Sequence, residues 1–142
     1  MNKDSVVGVV GSGAMGSGIA QVAATAGHAT IVYDSNPEAL EKAKSSLASV
    51  LSKLAEKGKI SAEDSKNILD RLRFCTSLSD FSSCGLIIEA IVENLEVKQK
   101  VFSDLEKIVS ADCVLASNTS SLSITSIASG CMNPERILGI HF

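Results

Sequence analysis

The sequence VVGVVGSGAMGSGIAQ, at residues 6–21, decides the fold because its character changes at a cluster of glycines. Val6 to Val10 is a short run of β-branched residues, too brief for a helix and apolar on both faces, as a central parallel strand is. Ala14 to Ala26 is rich in residues that favour helices, and Gly27 stands where a glycine commonly follows a helix. The stretch therefore predicts a buried strand, a tight loop and a helix.

The loop between this strand and helix carries the pattern G-x-G-x-x-G, formed by Gly11, Gly13 and Gly16. The first glycine permits a tight turn, the second lets a pyrophosphate approach the backbone, and the third lets helix and strand pack closely. The N–H groups and positive dipole end of the helix then hold phosphate oxygens. A tight turn without a ligand is the alternative. The predicted cofactor-binding residues of the loop are Gly11, Ser12, Gly13, Ala14, Met15 and Gly16.

An acidic residue ends the next predicted strand, Ala29 to Tyr33. Asp34 lies close to the spacing from Gly16 at which a carboxylate binds the adenosine ribose hydroxyls of a dinucleotide. Because a carboxylate there repels a 2′-phosphate, we expect NAD rather than NADP as the cofactor. The alternative is that Asp34 only caps the following helix.

Helix-like and strand-like segments alternate along the rest of the chain. Pro37 begins a long helix with one apolar stripe, Gly58 ends it, and Ser61 begins a shorter helix that ends near Arg71. An amphipathic helix is predicted around Leu95 to Val109. The remaining predicted strands, all short and apolar, are Arg73 to Cys75, Leu86 to Glu89, Cys113 to Ser117 and Ile137 to Ile140.

Strands separated by helices predict an α/β fold in which a parallel sheet is covered on both faces. The handedness of parallel crossovers and the glycine pattern favour a Rossmann-like, doubly wound sheet with the strand order 3-2-1-4-5-6. The helical hairpin from Pro37 to Arg71 is then an insertion after strand two. Since no linker, repeat or low-complexity tail interrupts the sequence, residues 1–142 are predicted to form one domain.

The composition argues against several classes of protein. A net charge of −3 argues against a nucleic-acid partner, which requires a basic surface. The 4 cysteines lack metal-ligand spacing and the chain has 2 histidines, so we expect no metal site and interpret the cysteines as buried, reduced thiols. The N-terminus lacks the features of a signal peptide, and no stretch has the roughly 20 apolar residues of a membrane span. We therefore expect a cytoplasmic protein without a membrane partner.

Polar residues follow the last three predicted strands, at the positions where such a sheet binds ligands. These residues are Glu89 to Glu93, Ser117 to Ser120, and His141. Together with the glycine loop they would place an acid pair, a hydroxyl cluster and an imidazole at one edge of the sheet. This combination is typical of a dehydrogenase.

At this point the chain resembles a known family. Its motifs GSGAMGSGIAQ, IIEAIVENLEVKQKVFSDLE, SNTSSLSIT and NPERILGIHF, with Asp34, are similar to the NAD-binding domain of the 3-hydroxyacyl-CoA dehydrogenases, including the bacterial 3-hydroxybutyryl-CoA enzymes. The resemblance covers essentially the whole chain, and the family also carries a helical hairpin after strand two. It implies NAD-dependent interconversion of (3S)-3-hydroxyacyl-CoA and 3-oxoacyl-CoA, an acyl-CoA substrate, and a homodimer in the full-length protein.

The resemblance also implies roles for individual residues. Glu93 and Lys98 match positions that contact the cofactor near its nicotinamide ribose, or they form a solvated helix face. Ser120 matches a serine that reaches nicotinamide and substrate, or it caps the next helix. His141 matches the catalytic histidine. Lys57, on the helical hairpin, is the candidate for contact with the anionic CoA moiety, with an ordinary surface lysine as the alternative.

The chemistry suits two of these residues. Oxidation of a secondary alcohol by hydride transfer leaves a proton on the hydroxyl oxygen, and a histidine such as His141 has a pKa suited to accept it and to return it in the reverse reaction. Ser120 can donate a hydrogen bond to that oxygen as charge develops there. Both are therefore the predicted catalytic residues.

Family members continue beyond this histidine with a glutamate that orients it and an all-helical domain that completes the acyl-CoA site, and neither is present in this sequence. We therefore expect the isolated chain to bind the cofactor and to have weak activity or none. The reaction belongs to fatty acid metabolism, with β-oxidation and butyrate metabolism as pathways that use it.

Two other functions remain open. The first is another β-hydroxyacid-type dehydrogenase on a similar sheet, although such enzymes use a catalytic lysine on a later helix, and Asp34 and the G-x-H-F ending argue against them. The second is a non-catalytic NAD(H)-binding or structural protein of the same fold. Turnover of acetoacetyl-CoA would distinguish an enzyme from such a non-catalytic protein.

Overall fold

The structure, a computed structural model, describes residues 4–140 and contains one parallel sheet. The six strands have the order β3-β2-β1-β4-β5-β6, and every neighbouring pair is parallel. The predicted doubly wound, Rossmann-like fold is therefore confirmed. The strands are β1 (Val6–Val10), β2 (Thr30–Tyr33), β3 (Leu72–Cys75), β4 (Cys84–Glu89), β5 (Val114–Ser117) and β6 (Ile137–Gly139).

Helices connect the strands, and four of the five α-helices in residues 4–140 begin at a side chain that caps them. Asn36, Ser61, Asn94 and Ser123 each accept a backbone N–H of the first turn, which satisfies donors that a helix start leaves free. The helices are α1 (Ala14–Thr25), α2 (Pro37–Glu56), α3 (Ala62–Arg71), α4 (Leu95–Ile108) and α5 (Ile124–Ala128), with short 3-10 helices at Leu78–Ser83 and Pro134–Arg136.

The core lies on both faces of the sheet. On one face Phe102 and Leu105 of α4 and Ile127 of α5 are fully buried against β4 and β5. On the other face Ile19 and Ala20 of α1 pack on β1 and β2. Because helices cover both faces of the central strands, polar side chains and loops meet at the carboxyl ends of the strands.

The helical hairpin predicted after strand two is present as α2 and α3. It packs through Leu51 and Ile68 on Ala24 of α1, and the Arg71 guanidinium donates to the Ala24 carbonyl at 2.8 Å. The hairpin is thus fixed to the end of α1 that lies away from the glycine loop. No helix in the described range 4–140 is long and apolar enough to cross a membrane.

The predicted elements differ from the observed ones mainly at their ends. Strand β4 begins at Cys84 rather than Leu86, and β6 ends at Gly139 rather than Ile140. The 3-10 helix at Leu78–Ser83 was not predicted, since its serines and Asp80 give no apolar period. Its one fully buried side chain, Phe81, stacks edge-on to Tyr33 with ring centroids 6.2 Å apart.

Candidate functional site

A cleft of about 540 Å³ opens at the carboxyl ends of β1, β2 and β4. Its size falls in the range of small-molecule sites, and its position agrees with the rule for ligands of doubly wound sheets. The cleft combines the glycine loop, the exit of β2 and the loop leading into α4. Its lining residues are Val10, Gly11, Gly13, Tyr33, Asp34, Ser35, Ala39, Ala90, Ile91, Val92, Val97 and Val101.

Two glycines of the loop are required by the fold itself. Gly11 has a φ of 108°, and a Cβ on it would lie 2.6 Å from the carbonyl oxygen of Ala90. A Cβ on Gly16 would overlap the carbonyl oxygen of Gly11. Since backbone atoms cannot move away cheaply, neither position accepts a side chain, and the roles predicted for the first and third glycines as turn and packing residues are supported.

The second glycine is different because nothing within residues 4–140 occupies the space in front of it. A Cβ on Gly13 would meet no heavy atom within 4 Å. Gly13 is the N-cap of α1, so it offers no side-chain oxygen to the first-turn N–H groups, and the first turn carries no acidic residue. Open space, free donors and the positive end of a helix dipole fit the pyrophosphate of a dinucleotide.

Asp34 lines the same cleft and is tied to the glycine loop. Its Oδ2 accepts from the backbone N–H of Ser12 at 3.1 Å and from the Ser12 hydroxyl at 2.7 Å, and its Oδ1 accepts from the N–H of Asn36 at 3.0 Å. Burial alone would raise the pKa of Asp34, but the hydrogen bonds from Asn36 and Ser12 outweigh it and lower that pKa. The group is therefore a carboxylate, able to accept ribose hydroxyls.

The alternative that Asp34 merely caps a helix is wrong. The N-cap of α2 is Asn36, whose Oδ1 accepts from Glu38 N at 2.9 Å. Asp34 instead stands before the cap, with its carboxylate beside the glycine loop, which leaves its role as the ribose acceptor as the prediction that fits its position.

A buried ion-pair network lies beside the cleft, at the exit of β4. The side chains of Lys98 on α4 and Glu89 at the end of β4 are both fully buried. The Lys98 ammonium lies 2.9 and 3.1 Å from the two carboxylate oxygens of Glu89 and 2.7 Å from Oε1 of Glu93. The alternative that Lys98 belongs to a solvated helix face is therefore wrong.

Glu89 is the functional candidate that the sequence analysis did not single out. Besides Lys98, its carboxylate accepts from the Ser117 hydroxyl at 2.5 Å and from the N–H of Ile91 at 2.7 Å. The sequence indicated Glu89 only as part of the segment that brings an acid pair to this edge of the sheet, without a role of its own. A carboxylate that ends an apolar strand, followed by a lysine on the next helix, is the signal that could have identified it.

Glu93 joins this network to the loop after β5. Its Oε2 accepts from the hydroxyls of Thr119 and Ser121, each at 2.6 Å, and from the N–H of Ser121 at 3.3 Å. The hydrogen bond from Lys98, followed by those from Ser121 and Thr119, lowers the pKa of Glu93 to about 2. With its side chain 35% exposed, Glu93 is an accessible acceptor that is ionised at neutral pH.

Ser120 lies in the loop that Glu93 holds. The residue is exposed, between Thr119 and Ser121. The alternative that Ser120 caps the next helix is wrong, because Ser123 is the N-cap of α5 and its hydroxyl accepts from Ser126 N. The catalytic and substrate-binding roles of Ser120 stay predictions that agree with this exposure.

Among the predicted site residues, Gly11, Gly13 and Asp34 line the cleft itself, and the other described ones are not in its lining. Lys57 is exposed at the C-cap of α2, and it is not part of the cleft lining. Its contact with CoA stays a prediction. His141 lies outside the described residues. The residue before it, Ile140, donates its N–H to the carbonyl of Ser117 at 2.9 Å, next to the exit of β5.

The cysteines do not contribute to the site. Cys75, Cys84 and Cys113 are buried, Cys131 is half-buried, and all carry free thiols. Burial raises the pKa of Cys84 to about 12, so this thiol does not ionise at neutral pH. Within residues 4–140, no group of three or more His, Cys, Asp or Glu could hold a metal ion.

Comparisons with known proteins agree with this geometry. Residues 6–142 match the family described as "3-hydroxyacyl-CoA dehydrogenase, NAD binding domain". The chain is 44% identical over 135 residues to a probable 3-hydroxybutyryl-CoA dehydrogenase of Deinococcus radiodurans, covering 95% of this chain and 48% of that protein. It is 43% identical over 134 residues to a probable 3-hydroxybutyryl-CoA dehydrogenase of Bacillus subtilis, covering 94% and 47%.

A solved structure supports the same assignment. The crystal structure of 3-hydroxybutyryl-CoA dehydrogenase from Escherichia coli K12 superposes with a TM-score of 0.96 at 42% identity, covering all of this chain and 30% of that one. The chain thus spans about half the length of the curated relatives it matches. The predicted family, fold and cofactor, NAD, are confirmed by these matches.

Proposed function

Because this chain belongs to the NAD-binding domain family of the 3-hydroxyacyl-CoA dehydrogenases, we propose that it is the cofactor half of an enzyme that interconverts (3S)-3-hydroxyacyl-CoA and 3-oxoacyl-CoA. One observation carries the proposal. Gly13 and Asp34 line the same cleft, and Val92 of its lining immediately precedes Glu93, whose carboxylate accepts from Thr119 beside Ser120.

The cofactor half of the site divides between two sets of groups. The loop from Gly11 to Gly16 and the N-terminus of α1 would hold the pyrophosphate, and Asp34 would accept the hydroxyls of the adenosine ribose. Glu93 would accept a hydroxyl of the nicotinamide ribose. Its low pKa supports this role because an ionised carboxylate binds hydroxyl donors more strongly than a neutral acid does.

The proposed chemistry is an alcohol oxidation. When bound, NAD would accept the hydride that leaves C3 of the substrate. His141 takes the proton of the 3-hydroxyl group as the carbon–oxygen single bond becomes a carbonyl, and it returns that proton when the carbonyl is reduced. Ser120 donates a hydrogen bond to the same oxygen and stabilises its developing charge.

The substrate and setting follow from the family. We propose an acyl-CoA substrate, with Lys57 as the candidate contact for the anionic CoA, and a homodimer in the full-length protein. The reaction suits fatty acid metabolism, with β-oxidation and butyrate metabolism as the pathways proposed, in the cytoplasm.

The cofactor assignment is tested by calorimetric titration of the 142-residue chain with NADH and with NADPH. Saturable NADH binding, with NADPH weaker by about tenfold or about 1.4 kcal/mol, is the expected result. The chain contains no tryptophan, which makes calorimetry a better probe than fluorescence quenching. Absence of NADH binding would contradict the role of the glycine loop.

The catalytic assignment is tested by NADH-dependent reduction of acetoacetyl-CoA by the complete protein. We expect turnover that His141→Gln abolishes while NADH binding stays intact. A protein that binds NADH and never turns over would favour the alternative function, a non-catalytic NAD(H)-binding protein of the same fold.

A further inference from the structure

We propose that Glu89 is a positioning residue for the nicotinamide half of the cofactor: through Lys98 it fixes the carboxylate of Glu93, and through Ser117 it fixes the strand end that leads to Ser120. The inference rests on the proposed function and adds a residue to it. Glu89 is fully buried, so it acts through these neighbours rather than by contact with the cofactor.

The position of Glu89 makes it suited to this task. It ends β4, a central strand paired with both β1 and β5. Its backbone carbonyl accepts the N–H of Asn118 at 2.8 Å, and its carboxylate accepts the Ser117 hydroxyl and the N–H of Ile91. The residue therefore ties together two strand exits that both border the proposed nicotinamide side.

Lys98 links Glu89 to Glu93, and its N–H donors are all engaged by these two carboxylates. An ammonium has three N–H donors, and three carboxylate oxygens lie within 3.1 Å of the Lys98 Nζ, two from Glu89 and one from Glu93. With its side chain fully buried, Lys98 has no donor left for a ligand. The predicted contact of Lys98 with the cofactor is therefore better described as an indirect one.

Glu93 is then the group that meets the cofactor, and the network selects which oxygen does so. Its Oε2 already accepts three hydrogen bonds from Thr119 and Ser121, whereas its Oε1 accepts one, from Lys98. Since each carboxylate oxygen has about two acceptor sites, Oε2 has none left and Oε1 has one. A ribose hydroxyl would bind there, at an oxygen whose position Glu89 sets through Lys98.

Net stabilisation does not explain the network on its own. Desolvation of buried charges offsets much of their attraction, so such groups often give little stability over an apolar replacement. What two carboxylates facing one ammonium do provide is a fixed location for Glu93. That function predicts a specific pattern of ligand affinities.

The experiment compares NADH with ADP, which carries only the adenosine and pyrophosphate part. Both ligands are titrated by calorimetry into the wild-type chain and into Glu89→Gln. We expect ADP affinity to stay within twofold, since Asp34 and the glycine loop are untouched, and NADH affinity to fall at least tenfold. An equal loss for both ligands, or a loss for neither, would overturn the inference.

A second variant separates positioning from stability. Glu89→Gln/Lys98→Met removes both buried charges together, and we expect it to recover most of the unfolding free energy lost in Glu89→Gln while NADH stays weakly bound. Recovery of NADH affinity together with stability would show a structural role only and overturn the inference. Asp104→Asn, which removes the exposed Lys100–Asp104 pair on the same helix, is the matched control and should change neither affinity.

Failure of this inference and failure of the proposed function give different results. If the wild-type chain binds neither NADH nor ADP, the cofactor site itself is wrong. If the wild type binds both and Glu89→Gln keeps the wild-type ratio of the two affinities, only the role of Glu89 is wrong.

Discussion

The two parts of the proposed cofactor site are built from different chemical groups. Around Gly13 and Asp34 the site consists of backbone N–H groups, open space and one carboxylate tied to Ser12. Around Glu93 the site consists of side chains. The carboxylates of Glu89 and Glu93 share the Lys98 ammonium, and they accept hydrogen bonds from Ser117 and from the loop after β5.

This difference separates two ways of making a binding surface. The glycine-loop side depends on shape, because each glycine either avoids a clash or leaves room. The Glu93 side depends on charge balance in a region of low dielectric, where the loss of one group leaves its partners buried and uncompensated. A small steric change should damage the first side, and a change of charge should damage the second.

The largest expected effect is that of Lys98→Met. The substitution leaves the fully buried Glu89 carboxylate without its cation, and breaking a buried pair in this way costs about 3–5 kcal/mol of unfolding free energy. Chemical denaturation measures the loss. Lys100→Met, at an exposed position on the same helix, should cost less than about 1 kcal/mol. Equal effects at the two positions would show that burial does not govern the network.

The glycine-loop side is tested by Gly11→Ala. The new Cβ would approach the Ala90 carbonyl oxygen to 2.6 Å at a positive φ, so we expect a loss of about 3 kcal/mol, strain at such a φ alone being worth about 1–3 kcal/mol. The matched control is Gly18→Ala, inside α1, whose Cβ meets nothing within 4 Å. It should raise stability by about 0.5–1 kcal/mol. Thermal and chemical denaturation of both variants measure these changes in unfolding free energy, and equal changes for the two would contradict the steric argument.

Asp34→Asn should change ligand preference more than stability. Without the carboxylate the repulsion of a 2′-phosphate disappears, and one charged acceptor for ribose hydroxyls is lost. We expect NADH to bind about tenfold more weakly, or about 1.4 kcal/mol, and the difference between NADH and NADPH to shrink. Calorimetry with both nucleotides measures this, and an unchanged NADH/NADPH ratio would remove Asp34 from the ribose site.

The smallest effect expected is the acid sensitivity that Glu93 contributes. Its pKa is lowered from 4.5 to about 2 in the folded chain, so its contribution to stability is complete above pH 4.5 and is lost as the pH falls toward 2. Denaturation midpoints measured across this interval should fall less steeply for Glu93→Gln than for the wild type. Parallel curves would show that Glu93 is not held as an ion by Lys98, Ser121 and Thr119.

The two sides also differ in how far the sequence predicts them. The glycine loop and Asp34 follow from short motifs and from the alternation of strands and helices, because their geometry is local or is fixed by the strand order. The contact of Glu89 with Lys98 and with Ser117 depends on how α4 and β5 pack against β4. Residue spacing does not encode that packing, so Lys98 was predicted as a cofactor contact and Glu89 received no role.

The ends of strands and helices are also predicted poorly from the sequence. Cys84 extends β4 because it pairs with Val6 across a register shift in the β1–β4 ladder, and an irregularity of pairing leaves no mark on hydrophobic periodicity. The caps of α3 and α5 at Ser61 and Ser123 obey local chemistry. Ser61 could accordingly be identified in advance.

The strand order has a consequence for how the chain assembles during synthesis. Strand β1 lies at the centre of the sheet, and its Val7 pairs with Thr30 on one side but with Leu86 on the other. One edge of β1 thus stays open until β4 has been made. The closure entropy of that long connection grows only with the logarithm of its length. The inserted α2–α3 hairpin therefore lengthens the connection between β1 and β4 at a small entropic cost.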